Sequence, residues 1–259
     1  MKSLHELQRN WEGLAQNDPL WAICNDPRKR NGLWGHEELF ATGRNEVKVV
    51  LACVAELGIG LDWSAPALDF GCGVGRLTQA LAAHFTDCCG VDISPTMISL
   101  AKEFNQNISQ CRFLLNEHEH LQSFQDNYFG FIYTSIVLQH MTEKLGRQYI
   151  TELVRVLKPG GALIFQIPDT LRLGLLKKLR VKLALGSKIR AVFRSRKSYA
   201  MEMHCIKEDT VRKLMQKSGG RVVDVRLTNS TDSSFCGDLQ YIHQEPESDY
   251  VSKQYCVVK

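Results

Sequence analysis

Residues 65–94 constrain this chain most, because APALDFGCGVGRLTQALAAHF followed by TDCCGVDIS sets strand, glycine turn, helix, strand and acid in one order. Ala67, Leu68, Asp69 and Phe70 form the short, mostly apolar run that a buried parallel strand needs. Gly71, Gly73 and Gly75 then break it, giving a backbone that can take positive φ and present main-chain N–H groups without a Cβ in the way. Leu77, Ala80, Leu81 and Phe85 recur at helical spacing, so the turn opens a helix. Val91 ends a second short strand and Asp92 follows, where a doubly wound α/β fold brings a carboxylate to a ribose diol. The order predicts a nucleoside site.

The spacing narrows the nucleoside. A dinucleotide fingerprint wants G-x-G-x-x-G, whereas this turn reads G-x-G-x-G with Arg76 next. Asp69 beside the turn adds negative charge, which suits a cationic sulfonium or ammonium better than a diphosphate. Cys72 is read as a small residue tolerated inside the turn.

Downstream, PTMISLAKEF reads as a helix from Pro95, Cys111 to Leu115 as a third strand and Phe129 to Ser135 as a fourth. Thr142 caps a helix whose Leu145, Tyr149, Leu153, Val156 and Leu157 face inward; Lys158-Pro-Gly-Gly stops it, and Ala162 to Ile167 makes a buried fifth strand. Alternating strands and helices imply a parallel sheet with right-handed crossovers. Arg221 to Leu227 and Tyr250 to Val258 read as two closing strands. Residues 1–63 read as helical and rich in aromatics, a cap that packs over the sheet or covers the site.

These residues resemble the class I S-adenosylmethionine-dependent methyltransferases, in the branch that modifies small molecules and glycans. The resemblance runs from about Phe40 to the C-terminus, and it rests on LDFGCGVG, VDIS, LLNE, YTSIVLQHM and LKPGGALIFQIP in that order. It implies an α/β fold with a doubly wound, mainly parallel seven-stranded sheet, an antiparallel C-terminal strand, an N-terminal helical cap and a basic helical insertion. The expected divisions are 1–63 (cap), 64–168 (cofactor-binding core), 169–205 (basic lid) and 206–259 (end of the sheet). The implied cofactor is S-adenosyl-L-methionine, leaving as S-adenosyl-L-homocysteine. Asp69, Gly71, Cys72, Gly73 and Gly75 would form its turn, Asp92 would take the ribose, Asn116 or Glu117 would lie near the adenine, and Ser135, at the end of the fourth strand, would also meet the cofactor. Ile93 and Met97 belong either beside the adenine or in the core. Arg44 is either a partner for the cofactor carboxylate or a surface arginine. Gly130 departs from the family, in which many relatives carry an acid there, and the expected effect is on local packing.

Composition bounds the rest. The chain has 259 residues, enough for one α/β domain with additions. Its nine cysteines lack paired C-x-x-C spacing, so no metal site and no disulfide framework is expected, and the absence of a signal or transmembrane pattern leads to a cytoplasmic expectation. Residues 169–200 hold ten Lys or Arg against one acid, a net charge of +9 in a chain of net +4. The leucines interleaved with those bases suggest amphipathic helices. They form either a lid that recruits an acidic or membrane-associated acceptor or a cap with a solvated basic face.

A hydroxyl acceptor needs a base, whereas an amine needs only to be neutral. His140 after the fourth strand and His204 in MEMHCI are the catalytic candidates, each with a structural alternative; His118 and His120 are expected in solvent. Nucleic acid is disfavoured, because TSIVLQHM lacks the Asn/Asp-Pro-Pro-aromatic tetrapeptide of base-modifying relatives and the basic stripe lacks interleaved aromatics. The expected reaction is methyl transfer to an oxygen or nitrogen of a small molecule or glycan, acidic or lipid- or carrier-linked acceptors included. A nicotinamide oxidoreductase and a non-catalytic cofactor-binding protein are the alternatives.

Overall fold

The computed structural model describes residues 3–172, 201–232, 235, 237–246 and 248–259. Its first helix, α1 (Leu4–Asn17), starts with a reciprocal capping box in which Ser3 Oγ accepts from Glu6 N and Glu6 Oε2 accepts from Ser3 N. After α2 (Pro19–Ile23) and a short turn of tighter helix, α3 (His36–Glu56) runs into the sheet. The remaining elements are β1 (Ala67–Phe70), α4 (Arg76–Leu81), β2 (Cys88–Asp92), α5 (Pro95–Phe104), β3 (Cys111–Leu115), β4 (Phe129–Thr134), α6 (Glu143–Val156), β5 (Leu157–Leu171), α7 (Glu208–Ser218), β6 (Arg221–Thr228), β7 (Tyr241–Ile242) and β8 (Tyr250–Val258).

The strand order is β3-β2-β1-β4-β5-β8-β6-β7. The first five strands are parallel, and β8 enters antiparallel between β5 and β6. This is the expected doubly wound sheet with its antiparallel finish. It has eight strands where seven were expected, since the two-residue β7 adds to the edge of β6. Order reverses between β2 and β4, which leaves a crevice at the C-terminal end of β1.

Side chains alternate across β1 and β4, so each strand feeds two cores. Leu68, Phe70 and Ile132 join α6 and α7 on one face, together with Leu7 of α1. Ala67, Phe131 and Tyr133 join Val47, Val50 and Val54 of α3 and Leu77 and Leu81 of α4 on the other. At Gly130 an added Cβ would sit 2.6 Å from Ala65 Cβ, so packing against the segment before β1 excludes a larger side chain there. The chain entering and leaving residues 169–205 is held together at its two ends. Glu208 N donates to Asp169 Oδ1 at 2.6 Å, Ile206 N to Pro168 O at 2.9 Å, and Lys253 pairs with both Asp169 and Glu208. The lid expected for 169–205 falls largely on residues 173–200, which lie outside the described residues.

One buried ion pair joins the two helices of the second face. Arg76 Nη1 meets Glu46 Oε2 at 2.8 Å, Tyr133 OH donates to Glu46 Oε1 at 2.8 Å, and both charged side chains are almost wholly buried. At Gly43 an added Cβ would sit 2.5 Å from the Arg76 carbonyl oxygen, so α3 crosses directly against the start of α4. Removing one partner strands the other charge in the core. Glu46→Ala is therefore expected to lower unfolding stability by about 3–5 kcal/mol in denaturant titration. A loss below roughly 1 kcal/mol would show that the pair does not hold this junction.

Candidate functional site

A cavity of about 410 Å³ occupies the crevice above β1 and β2. Its floor is the glycine turn. Gly71 has φ +80° and its Cβ position lies 2.3 Å from a Val137 methyl, so only glycine fits. The Gly71 and Cys72 N–H groups both donate to Val91 O, at 2.7 and 3.0 Å, which ties the turn to the end of β2. Burial pushes the Cys72 thiol well up, and the Asp92 and Asp69 carboxylates push it further, so this sulfur is a neutral lining group.

Asp92 is the fixed acid of the site. Its Oδ2 accepts from Gly73 N and its Oδ1 from Ser94 N, both at 2.9 Å, while part of the carboxylate stays open to the cavity. Burial raises its pKa, opposed by those backbone donors. Asn116 stands beside it, with its amide nitrogen donating to His118 O at 3.0 Å and Tyr149 OH at 3.3 Å. Those bonds leave the Asn116 amide oxygen as an acceptor. A clamped carboxylate with spare lone pairs, a glycine floor and an oriented amide suit a nucleoside with a diol and an exocyclic amine.

The roof is α1. Leu7 and Trp11 line the cavity, and the Trp11 ring meets His140 edge-on with centroids 4.9 Å apart. Glu12 docks this helix onto the start of α5, accepting from Ser94 Oγ at 2.6 Å, Thr96 Oγ1 at 2.5 Å and Thr96 N at 3.1 Å. Gln8 adds bonds to Ile93 O and Glu117 Oε1.

Of the residues marked from the sequence, Gly71, Cys72, Gly73, Asp92, Ile93, Met97, Asn116, Ser135 and His140 line the cavity. Arg44, Asp69, Gly75, Glu117 and His204 do not. Arg44 turns to Glu37 at the surface. Strand alternation sends Asp69 behind the turn, where it accepts from Thr78 Oγ1 at 2.7 Å and burial pushes its pKa up to about 7. Gly75 packs toward Asn105 and Phe113, Glu117 binds the cap through Gln8, and the His204 imidazole lies 3.8 Å from Glu202.

Sequence reasoning missed Arg76, Gln139, Met141, Met201, Met203 and Ser230, which also line the cavity. Gln139 was legible as a polar residue in a buried run; the two methionines at 201 and 203 and Ser230 arrive only through tertiary folding.

Residues 68–165 match a family profile described as a methyltransferase domain. The chain is 33% identical over 109 residues to the 2-methyl-6-phytyl-1,4-hydroquinone methyltransferase of Synechocystis, a match covering 40% of this chain and 33% of that relative. It is 34% identical over 113 residues to the trans-aconitate 2-methyltransferase of Variovorax paradoxus, covering 43% of this chain and 41% of that relative. These alignments thus span less than half the length of either relative. Across 99% of both chains the fold is similar to the crystal structure of the Synechocystis magnesium protoporphyrin IX methyltransferase with bound SAH, with a TM-score of 0.61 at 16% identity. Neither the oxidoreductase nor the non-catalytic alternative gains support from these matches.

The Glu12 latch titrates. Burial works to raise its pKa, but the bonds from Ser94 and Thr96 outweigh this and hold it below the ordinary carboxylate value. A lowered folded pKa contributes stability above the unfolded value and loses it as pH falls through the folded one. Acidification below the ordinary glutamate range, and Glu12→Ala at neutral pH, are both expected to speed amide hydrogen exchange in α1 ahead of the sheet. Equal protection in the variant would remove the latch.

Proposed function

Residues 68–165 match a methyltransferase-domain profile, and from that likeness we propose that the protein transfers a methyl group from S-adenosylmethionine to an oxygen of a small, largely apolar acceptor. The observation that carries this reading is the Asp92 carboxylate, fixed by Gly73 and Ser94 at the edge of a glycine-floored cavity. The same residues fit the cofactor: Asp92 for the two ribose hydroxyls, the Asn116 oxygen for the adenine amine, and Ile93 and Met97 for its faces. When bound, S-adenosylmethionine supplies an electrophilic methyl group and keeps the electron pair of the sulfur–carbon bond it gives up.

The protein's own task is to align the acceptor, exclude water and take a proton. Trp11, Met141, Met201 and Met203 form an adaptable apolar wall that suits a flat or aliphatic acceptor body. His140 is the group placed for the proton. Burial lowers its pKa to about 4, with the Glu202 carbonyl opposing and His204 adding to the fall, so the imidazole is neutral near pH 7 and able to accept. His204, outside the wall, is not assigned that role.

The quinol and aconitate relatives support a small acceptor. An acidic, glycan or carrier-linked acceptor would rest on the basic residues 169–200, most of which are undescribed, and the apolar wall favours the simpler reading. None of the described helices is long and apolar enough to cross a membrane. Cys53, Cys72, Cys88, Cys89, Cys111, Cys205 and Cys256 carry free thiols, which suits a reducing compartment such as the cytoplasm.

Asp92→Ala is expected to weaken S-adenosylmethionine binding by more than about tenfold in calorimetry. Unchanged affinity would remove the cofactor from this cavity. His140→Ala is expected to slow single-turnover methylation of a hydroxylated acceptor by about 100-fold while donor affinity stays the same. An unaltered rate would mean that no base acts from this position.

A further inference from the structure

Two buried glutamines stand together at the cavity wall, Gln139 lining it and Gln166 behind. In β5, Gln166 is one of few polar residues in a fully buried run, and Gln139 sits in the turn after β4. Their amides join in one directed chain. Ile136 N donates to Gln166 Oε1 at 3.0 Å; Gln166 Nε2 donates to Gln139 Oε1 at 3.1 Å; Gln139 Nε2 lies 3.3 Å from His140 Nε2; and His140 Nδ1 lies 2.7 Å from Glu202 O.

The two ends of this chain are main-chain groups whose roles are fixed. A backbone N–H can only donate, so the Gln166 atom facing Ile136 is oxygen and its nitrogen turns to Gln139. That requires an oxygen from Gln139, which leaves its nitrogen to face the imidazole. Read from the other end, a backbone carbonyl can only accept, so His140 Nδ1 carries a proton toward Glu202. Both ends demand the same imidazole form. The opposite tautomer would set a lone pair against the Glu202 oxygen and N–H against N–H at Gln139, and reversing the amides would cost the Ile136 bond as well.

We propose that Gln166 and Gln139 are positioning residues that set His140 as the tautomer protonated at Nδ1 and bare at Nε2, the form able to take the acceptor's proton. The inference rests on the methyl-transfer reading for its use but not for its geometry. On reaction, the acceptor O–H bond breaks, its electron pair stays with the oxygen that forms the new bond to methyl carbon, and the proton goes to Nε2. The positive charge lost by the donor sulfur then resides on the imidazolium, whose Nδ1–H stays bonded to Glu202 O. The Gln139–His140 contact is the longest of the four, so it is the one an acceptor hydroxyl displaces.

Gln166 has further anchors. Its nitrogen also reaches Ser252 Oγ at 2.5 Å, in a buried hydroxyl cluster with Thr228 and Ser230. It holds Ile136, a β-branched residue at φ +53°, a backbone region such side chains rarely adopt. A purely structural glutamine would do that much, so the test must read the proton.

Heteronuclear NMR of the imidazole nitrogens in the full chain, with His140 assigned by its loss in His140→Asn, reports the tautomer directly. A single form with Nδ1 protonated and Nε2 bare at neutral pH is expected; an Nε2-protonated or averaged form would overturn the proposal. In Gln166→Met the tautomers should mix and kcat should fall at least about tenfold, with donor affinity and acceptor KM within about twofold. A folded variant that keeps one tautomer and full kcat would also overturn it. If the variant does not fold, the wild-type spectrum still decides. Absence of heat for the donor in calorimetry would remove the methyl-transfer reading while leaving the tautomer result intact.

Discussion

The glycine turn holds its shape because a charge is buried behind it. Arg76, the first residue of α4, is locked to Glu46 of α3 and through it to Tyr133 of β4. Such a pair offers little net stability over an apolar one, but it accepts few alternative geometries. It fixes where α4 starts, and hence how the residues before it leave β1. Gly71 to Gly75 are thereby held between a rigid helix start and two bonds to Val91, and Gly73 delivers its N–H to Asp92 without further adjustment.

From that junction the site is built outward in two directions. Beside β1 and β2 the lining is the backbone of the glycine turn, Asp92 at the end of β2 and Asn116 just after β3. Across the cavity the wall changes character to thioethers, an indole and an imidazole, contributed by α1, the turn after β4 and residues 201–203. The first half presents directional donors and acceptors, and the second presents adaptable apolar surface.

The legibility of the sequence follows the same division. Residues 65–94 could be read because turn, strand and acid are local, and their roles depend on neighbours a few positions away. Strand bounds such as Cys111–Leu115 were equally plain, since a parallel strand is a short apolar run between breakers. Asp69 is next to the turn in sequence, but the two-residue alternation of β1 sends its side chain to Thr78 and away from the cavity lining. Arg44 takes the surface alternative and faces Glu37, and of the pair Asn116 and Glu117 the first lines the cavity while the second faces Gln8. Gln139, Gln166 and Ser252 come from three distant segments, and no periodicity announces that they will meet. The only hint was a polar residue in a strand otherwise written for burial.

The amino-terminal helix carries both wall and fastening. Leu7 and Trp11 face the cavity, while Gln8 and Glu12, on the same turns, grip the rim at Ile93, Ser94 and Thr96. Filling the cavity and closing the helix are therefore one coupled equilibrium. Any molecule that binds by contact with the indole must shift that equilibrium toward the closed helix, and by reciprocity closure must raise its affinity by the same factor.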